Sequence, residues 1–149
     1  MVRDFQEKDA ARCCEIVNTN WIKMTDYPVE LRAYFLKKNT PEKLAQEFLE
    51  YDKAVVFETR YRIVGLGALD GAVVKGVYVD PSEHRSGIGS SIMDALEARA
   101  RGRGLKALGV GSSVGAESFY AARGYRVMKR CTVEVQGMQM PSIEMEKEL

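Results

Sequence analysis

A short glycine-rich stretch in the middle of the chain is the part of the sequence best suited to binding chemistry. It reads VYVDPSEHRSGIGSS over residues 77–91 and places Gly87 and Gly89 at the start of an apolar helical pattern. The first backbone N–H groups of a helix have no partner within it and carry partial positive charge, so they attract phosphate. Glycines at that point remove side chains that would keep a ligand away. The stretch therefore predicts a site for a pyrophosphate or another anion.

Residues beside the two glycines add donors of their own. Arg85 supplies a planar guanidinium, and Ser86, Ser90 and Ser91 supply hydroxyl groups. A dinucleotide fingerprint would need a third glycine where Ile92 stands, and a P-loop would need Gly-Lys-Ser/Thr, which the chain lacks. Neither nucleotide site is supported. The remaining alternative is that the glycines only close a strand-to-helix turn.

The elements that precede this stretch can be read from apolar periodicity. A strand over residues 2–5 is followed by a helical pattern from residue 8 to about 18, and then by an irregular segment, residues 21–28. Thr40, directly before a proline, marks the start of a second amphipathic helix over residues 41–51.

Three β-rich runs come next, over residues 54–58, 62–69 and 72–79. Asp70-Gly71 between the last two suits a tight hairpin turn, because such turns need positive φ. The three runs therefore predict an antiparallel meander.

The helix after the glycine turn has an apolar residue every four positions and ends at Gly102 or Gly104. A strand over residues 105–110 follows, so strand, helix and strand form a right-handed crossover with two parallel strands. A short helix near residues 116–123 and two last strands, over residues 125–135 and 142–147, complete the chain. The predicted fold class is α/β, with a mixed, mostly antiparallel sheet, one parallel strand pair and about four flanking helices.

Composition limits the kinds of protein this can be. The chain has 149 residues, 46% of them hydrophobic, so we expect one domain over residues 1–149. Its 22 basic and 21 acidic residues create no overall field that would favour nucleic acid or an anionic membrane. No signal-peptide core or membrane-length apolar stretch is seen, and a cytoplasmic protein is expected. Cys13, Cys14, Cys131 and the single His84 lack metal-ligand spacing, which predicts reduced thiols and no metal site.

Two segments together resemble the signature of the GCN5-related N-acetyltransferase (GNAT) family. The first, His84-Arg85-Ser86-Gly87-Ile88-Gly89, is similar to Arg/Gln-x-x-Gly-x-Gly/Ala at the start of the helix after the fourth strand. The second lies in LGVGSSVGAESFYAARGY, residues 108–125, and resembles the ending Phe-Tyr-x-x-x-Gly-Phe/Tyr. Its matching residues are Phe119, Tyr120, Gly124 and Tyr125.

The resemblance implies acetyl-CoA as cosubstrate and CoA as product. The backbone of the turn would hold the pyrophosphate at Arg85, Ser86, Gly87, Ile88, Gly89 and Ser90. The fourth strand would run beside the pantetheine arm at Val77, Tyr78 and Val79. The chain departs from the family at His84, where Arg or Gln is usual, and at Gly115, where many members carry Asn. A turn that binds through main-chain donors tolerates both changes, with cofactor affinity the same as or weaker than usual.

The resemblance also assigns the chemistry. Tyr120 takes the position of the family's tyrosine acid, and a main-chain N–H among residues 77–79 would polarise the thioester carbonyl. From the residues alone, an aromatic packed against the sheet is the favoured interpretation of Tyr120. The general base is not evident: His84 falls at the phosphate end, and Glu58, Asp70 and Glu117 are unranked candidates.

These features predict an acetyl-CoA-dependent N-acetyltransferase that acts by direct attack of a primary amine, on a small molecule or a peptide. The alternative is a non-catalytic acyl-CoA-binding sensor of the same fold. The aromatic early region, with Trp21, Met24, Tyr27, Tyr34 and Phe35, either shapes the acceptor site or belongs to the core. The acceptor amine and the acyl-chain preference stay open, as does the oligomeric state, with a homodimer among the options.

Overall fold

One seven-stranded sheet runs through the protein, whose computed structural model describes all of residues 1–149. The strands are β1 (Val2–Asp4), β2 (Lys53–Glu58), β3 (Ile63–Asp70), β4 (Val73–Val79), β5 (Ala107–Ser112), β6 (Arg126–Val135) and β7 (Met138–Glu148). The helices are α1 (Ala10–Lys23), α2 (Val29–Lys38), α3 (Pro41–Glu50), α4 (Ile88–Gly102) and α5 (Glu117–Ala122). The strand order is β1-β2-β3-β4-β5-β7-β6, and every neighbouring pair is antiparallel except β4 and β5. The predicted mixed sheet, its meander and its single parallel pair are thus confirmed.

The parallel pair is short, and this shapes the middle of the sheet. Only Val73 with Gly109 and Val74 with Val110 are paired between β4 and β5. A bulge follows on β4, where two residues stand opposite one of β3 and Gly76 takes a φ of +84°. A bulge bends its strand. Beyond it, the last part of β4 has β3 on one side and no strand on the other.

Helices cover both faces of the sheet and divide the core in two. On one face, α1, α2 and α3 bury a cluster that includes Cys13, Ile16 and Leu31. On the other face, α4 and α5 bury a second cluster. The predicted four-residue repeat of α4 is its buried stripe, formed by Ile88, Ile92, Leu96 and Ala100. Cys13 and Cys14 are buried free thiols as expected, whereas Cys131 is half-buried.

Several element boundaries differ from the predictions. The first helix continues to Lys23, because buried Trp21 extends the apolar stripe beyond the predicted end at residue 18. Helix α2 was not predicted, and its sequence explains why: Leu31 is its only fully buried residue, so no apolar stripe marks it. The capping Thr40 was predicted correctly, since its hydroxyl accepts the Lys43 N–H at 3.2 Å.

Of the two hairpin turns, only the first differs from its prediction. Asp70 pairs with Val73, so the turn residues are Gly71, with φ +60°, and Ala72 rather than Asp70-Gly71. The final hairpin turns at Gln136-Gly137, where both residues have positive φ. Strand β5 begins two residues later than predicted, and β7 begins four residues earlier. No helix has the length and apolar run that crossing a membrane would require.

Candidate active site

A cavity of about 910 Å³ opens where β4 and β5 diverge. Its walls come from the end of β4, the turn before α4, the start of α5 and the connection between α1 and α2. Predicted site residues that line it are Val77, Tyr78, Val79, Arg85, Gly87, Ile88, Gly89, Ser90 and Tyr120. Ser86 does not, because its hydroxyl donates to the Glu83 carbonyl. The gap in the sheet therefore brings the two predicted segments together.

The turn at one end of the cavity carries a run of free backbone donors. The six consecutive N–H groups from Arg85 to Ser90 find no acceptor within the protein, and the next one, of Ser91, donates to the Gly87 carbonyl at 3.0 Å. Arg85 and Gly87 have φ of +67° and +83°, which bends the chain sharply before the helix begins. Adjacent amides with the positive end of a helix behind them form an anion site. These residues fit a pyrophosphate.

Gly89 packs closely against neighbouring side chains. A Cβ at this position would lie 3.2 Å from the Phe119 ring and 3.7 Å from a methyl group of Val79. The glycine thus lets α5 approach the first turn of α4. That contact places the helix that carries Tyr120 beside the anion-binding turn.

Side chains fix the turn to the end of β4. The Asp80 carboxylate accepts the Ser82 N–H at 3.0 Å and an Arg12 N–H at 2.6 Å. His84 Nε2 donates to the Val79 carbonyl at 2.9 Å. The His84 side chain is therefore hydrogen-bonded to the end of β4, and this bond supports the turn.

The Asp80 contacts predict a pH-dependent loss of stability. Burial tends to raise the pKa of Asp80, but hydrogen bonds from Ser82 and Arg12 outweigh it and lower the pKa from 3.8 to about 2. A carboxylate with a lowered folded-state pKa contributes stability above about pH 4, which is lost as pH falls towards 2. We expect Asp80→Asn to reduce the free energy of unfolding at pH 7 by about 2 kcal/mol. Urea denaturation should show this difference shrinking as the pH falls from 5 to 2.

The control for Asp80 is Asp4→Asn. Asp4 forms an exposed ion pair with Lys53, and such pairs contribute little. We expect its effect to stay below about 1 kcal/mol at every pH. An Asp80→Asn effect of the same size at pH 7 and pH 3 would show that lost packing, and not the carboxylate charge, is responsible.

The end of β4 offers backbone donors to the cavity. Asp80 donates its N–H to the Val64 carbonyl on β3 at 2.8 Å. Residues of an antiparallel strand alternate between its two edges, so Val77 and Val79 direct their backbone groups away from β3. In agreement, the Val79 carbonyl accepts Asn20 Nδ2 from α1 at 2.9 Å. The N–H groups of Val77 and Val79 thus face the gap.

Tyr120 presents its hydroxyl to the same cavity. The residue is only 5% exposed, and its ring packs edge-on against Phe119 and Tyr125. No protein group hydrogen-bonds the hydroxyl. Burial, reinforced by the nearby Tyr78 phenol, raises the pKa of Tyr120 above its ordinary value of 10.0. The group therefore remains a protonated donor across the neutral range.

A buried charge network behind α5 links the segment that carries Tyr120 to the first turn of α4. Glu97, 2% exposed, accepts hydrogen bonds from Tyr125, Lys147 and Arg123 at 2.8, 3.0 and 3.2 Å. Arg123 also donates to the Ser90 carbonyl at 3.4 Å. Burial acts to raise the pKa of Glu97, yet Lys147 and the other partners outweigh it and lower the pKa. The sequence indicates this network only through Glu97, a charged residue next to the apolar stripe of α4, and the network was not predicted.

The acids named from the sequence lie outside the cavity. Glu58 binds Arg3 at 2.7 Å, Glu117 binds Arg130 with both oxygens at 2.8 Å, and Asp70 ends β3. The carboxylates that do line the cavity are Asp26 and Glu83. Both sit in connections between elements, where no sequence pattern marked them.

Two further features concern the wall of the cavity formed by the connection between α1 and α2. The Asp26 carboxylate lies 3.8 Å from where a Cβ on Gly115 would stand, which is an ordinary contact distance. Of the early aromatic residues, Tyr27 lines the cavity, whereas Trp21 stacks on Phe35 at 4.3 Å within the core. The early region thus contributes to both core and cavity.

The chain belongs to the GNAT acetyltransferases. The family model described as "Acetyltransferase (GNAT) domain" matches residues 15–149. A GCN5-related N-acetyltransferase from Rhodopseudomonas palustris superposes with a TM-score of 0.93 at 27% identity, over 100% of this chain and 95% of that one. No curated protein matches the chain by sequence.

More distant structures share the fold. The PaiA N-acetyltransferase of Thermoplasma acidophilum, solved in complex with coenzyme A, has a TM-score of 0.79 at 16% identity over 100% of this chain and 98% of its own. A GNAT family acetyltransferase from Elizabethkingia anophelis, with acetyl-CoA bound, has a TM-score of 0.60 at 17% identity over 72% and 83%. The family and fold predicted from the two sequence segments are confirmed.

Proposed function

We propose that this chain, as a single domain over residues 1–149, is an acetyl-CoA-dependent N-acetyltransferase acting on a primary amine of a small molecule or peptide. One observation carries the proposal: a turn with six unpartnered backbone N–H groups, five of whose residues line the cavity, faces the same cavity as the unpartnered hydroxyl of Tyr120. An anion site and a proton donor are the two groups that a thioester-dependent transfer requires. Membership of the GNAT family and the coenzyme complexes of two relatives support the choice of cosubstrate.

The pyrophosphate would be held by the N–H groups from Arg85 to Ser90. The Arg85 side chain, exposed beside the cavity, would add a charge-assisted contact. Since the donors belong to the backbone, the His84 that replaces the usual Arg or Gln has a different task, holding the turn to β4 through Val79.

Acetyl-CoA, when bound, supplies an acetyl thioester, and the chain supplies the groups that act on it. The N–H groups of Val77 and Val79 face the gap and can donate to an oxygen on which negative charge develops. Tyr120 holds a proton on its hydroxyl for a departing thiolate. A hydroxyl kept free of protein partners favours catalysis over a sensor that only binds, because binding alone needs no acid at this place.

CoA binding provides the test of this proposal. A ligand that binds only the folded state raises its stability by about 2.7 kcal/mol at 100 times its Kd. We therefore expect CoA and acetyl-CoA at millimolar concentration to raise the melting temperature by several degrees, which differential scanning fluorimetry measures. Adenosine, which lacks the phosphates, serves as the control and should give little change.

Turnover separates the enzyme from the sensor. Release of free thiol from acetyl-CoA in the presence of a primary amine is expected of the enzyme alone. A thermal shift without thiol release for any amine would favour the non-catalytic acyl-CoA-binding module. The absence of a shift with either ligand would contradict both functions.

A further inference from the structure

We infer that the hydroxyl of Tyr78 binds the acceptor amine and orients it for attack, an inference that rests on the proposed function. The residue lines the cavity from the face of the sheet that packs on α1, α2 and α3, opposite the face that carries Tyr120. The two phenols thus enter one gap from opposite sides.

The bulge in β4 positions the Tyr78 ring. Gly76 and Tyr78 lie on the same face of the strand, and a Cβ on Gly76 would stand 3.2 Å from Cε2 of the ring. The ring therefore leans back along the strand over the glycine. Any side chain at position 76 would push it away and would also be strained at a φ of +84°.

Tyr78 and Tyr120 line the same cavity. The Tyr78 phenol contributes to raising the pKa of Tyr120. Burial likewise raises the pKa of Tyr78, against a hydrogen bond from the Trp21 indole that lowers it. Tyr78 is therefore a neutral hydroxyl that keeps its proton at neutral pH, and its second oxygen lone pair is left to accept from an amine.

An acceptor amine needs such a partner here. The bulge of β4 carries Lys75, which is exposed, and Gly76, so it supplies no carboxylate, and the cavity-lining carboxylates Asp26 and Glu83 lie on connections between elements. A neutral amine has N–H donors and one nitrogen lone pair. If the Tyr78 oxygen accepts an N–H, the lone pair is left to face the carbonyl carbon next to the Val77 and Val79 N–H groups.

The contact strengthens as the reaction proceeds. When the nitrogen–carbon bond forms, the nitrogen becomes positive and its hydrogen bond to Tyr78 becomes charge-assisted. An interaction that is stronger in the transition state raises kcat. The carbon–sulfur bond breaks, Tyr120 donates its proton to sulfur, and the nitrogen proton leaves through water and returns to Tyr120. Tyr78 keeps its own proton throughout, so the products are the amide and the free thiol.

The test compares Tyr78→Phe with Tyr51→Phe. Tyr51 is partly buried against the same core cluster but does not line the cavity, so its loss reports the general effect of removing a phenol oxygen. The acceptor probes are phenethylamine, spermidine and a peptide with a free α-amino group, with thiol release as the readout. For the probes that the wild type acetylates, we expect Tyr78→Phe to lower kcat about 10- to 100-fold, the range for a hydrogen bond to a charged group. Tyr51→Phe should stay within about twofold.

Two binding measurements give readouts that packing alone would not produce. The CoA-induced thermal shift of Tyr78→Phe should equal that of the wild type, which also shows that the variant is folded. In calorimetry, the amine should bind the enzyme–CoA complex about 5- to 10-fold less tightly in Tyr78→Phe, as expected for loss of one hydrogen bond.

Each outcome decides the inference. Wild-type kcat and amine affinity in Tyr78→Phe would overturn it and leave the proposed function intact, as would a loss confined to CoA binding. A wild type that binds CoA but acetylates no probe would refute the proposed enzyme and the role of Tyr78 together. The expected pattern, with CoA binding retained and amine binding and kcat both reduced, would establish Tyr78 as a catalytic residue.

Discussion

Replacement of Tyr120 by phenylalanine is expected to lower kcat for acetyl transfer about 100- to 1,000-fold, within the range attributed to general acid catalysis. The phenol oxygen is the one group removed, and no protein atom depends on it for a hydrogen bond. The variant should therefore fold normally, and its CoA-induced thermal shift should match that of the wild type. Steady-state kinetics with saturating amine and acetyl-CoA measures the effect.

The matched control for Tyr120 is Tyr61→Phe. Tyr61 is 85% exposed in the connection between β2 and β3 and does not line the cavity. Its kcat should be that of the wild type. Equal turnover in Tyr120→Phe and the wild type would remove Tyr120 from the mechanism and leave its role as a packed aromatic beside Phe119 and Tyr125.

Gly87→Val is expected to weaken CoA binding at least 100-fold. Gly87 adopts a φ of +83° within the run of free donors, and it lines the cavity. A valine disfavours that conformation by about 1–2 kcal/mol and adds a branched side chain where the pyrophosphate would approach the amides. Loss of several charge-assisted hydrogen bonds, at about 1.5–3 kcal/mol each, accounts for the expected change in affinity. Isothermal titration with CoA measures it.

Gly104→Val separates backbone strain from ligand contact. Gly104 has a similar φ of +78°, and a Cβ there would also meet no atom within 4 Å, but it follows α4 at the end remote from the turn. Both variants should lose similar stability, and only Gly87→Val should lose CoA affinity. If Gly87→Val binds CoA as the wild type does, the backbone of the turn is not the anion site.

The sequence was most informative where a function depends on neighbouring residues. Gly87 and Gly89 mark the turn because glycine at these two positions is explained by the turn itself. Tyr120 likewise stands in a short motif of its own. The repeat of α4 and the meander were likewise visible, since each is a local pattern of burial. Local patterns therefore predicted the sheet and the two segments that line the cavity.

What the sequence did not reveal depends on contacts between distant segments. Helix α2 buries only Leu31 completely, so its burial pattern carries no periodic signal. Asp26 lines the cavity beside Gly115, which lies far along the chain. Tyr78 was assigned to the cofactor arm by its place on the strand, since nothing in the sequence indicates that its ring leans over Gly76. These placements follow from tertiary packing, which no single segment encodes.

The network centred on Glu97 has a consequence for the cost of catalysis. Through Arg123 it connects the Ser90 carbonyl in the first turn of α4 to the helix that carries Tyr120, and Glu97 is almost fully buried. The turn and the helix that carries Tyr120 are therefore tied to one buried network that forms when the chain folds. In the proposed enzyme, such a connection would leave little reorganisation energy for the moment of reaction, which is the condition under which fixed dipoles stabilise a transition state most. Preorganisation would then depend on the buried charges behind the site as much as on the residues that face the ligand.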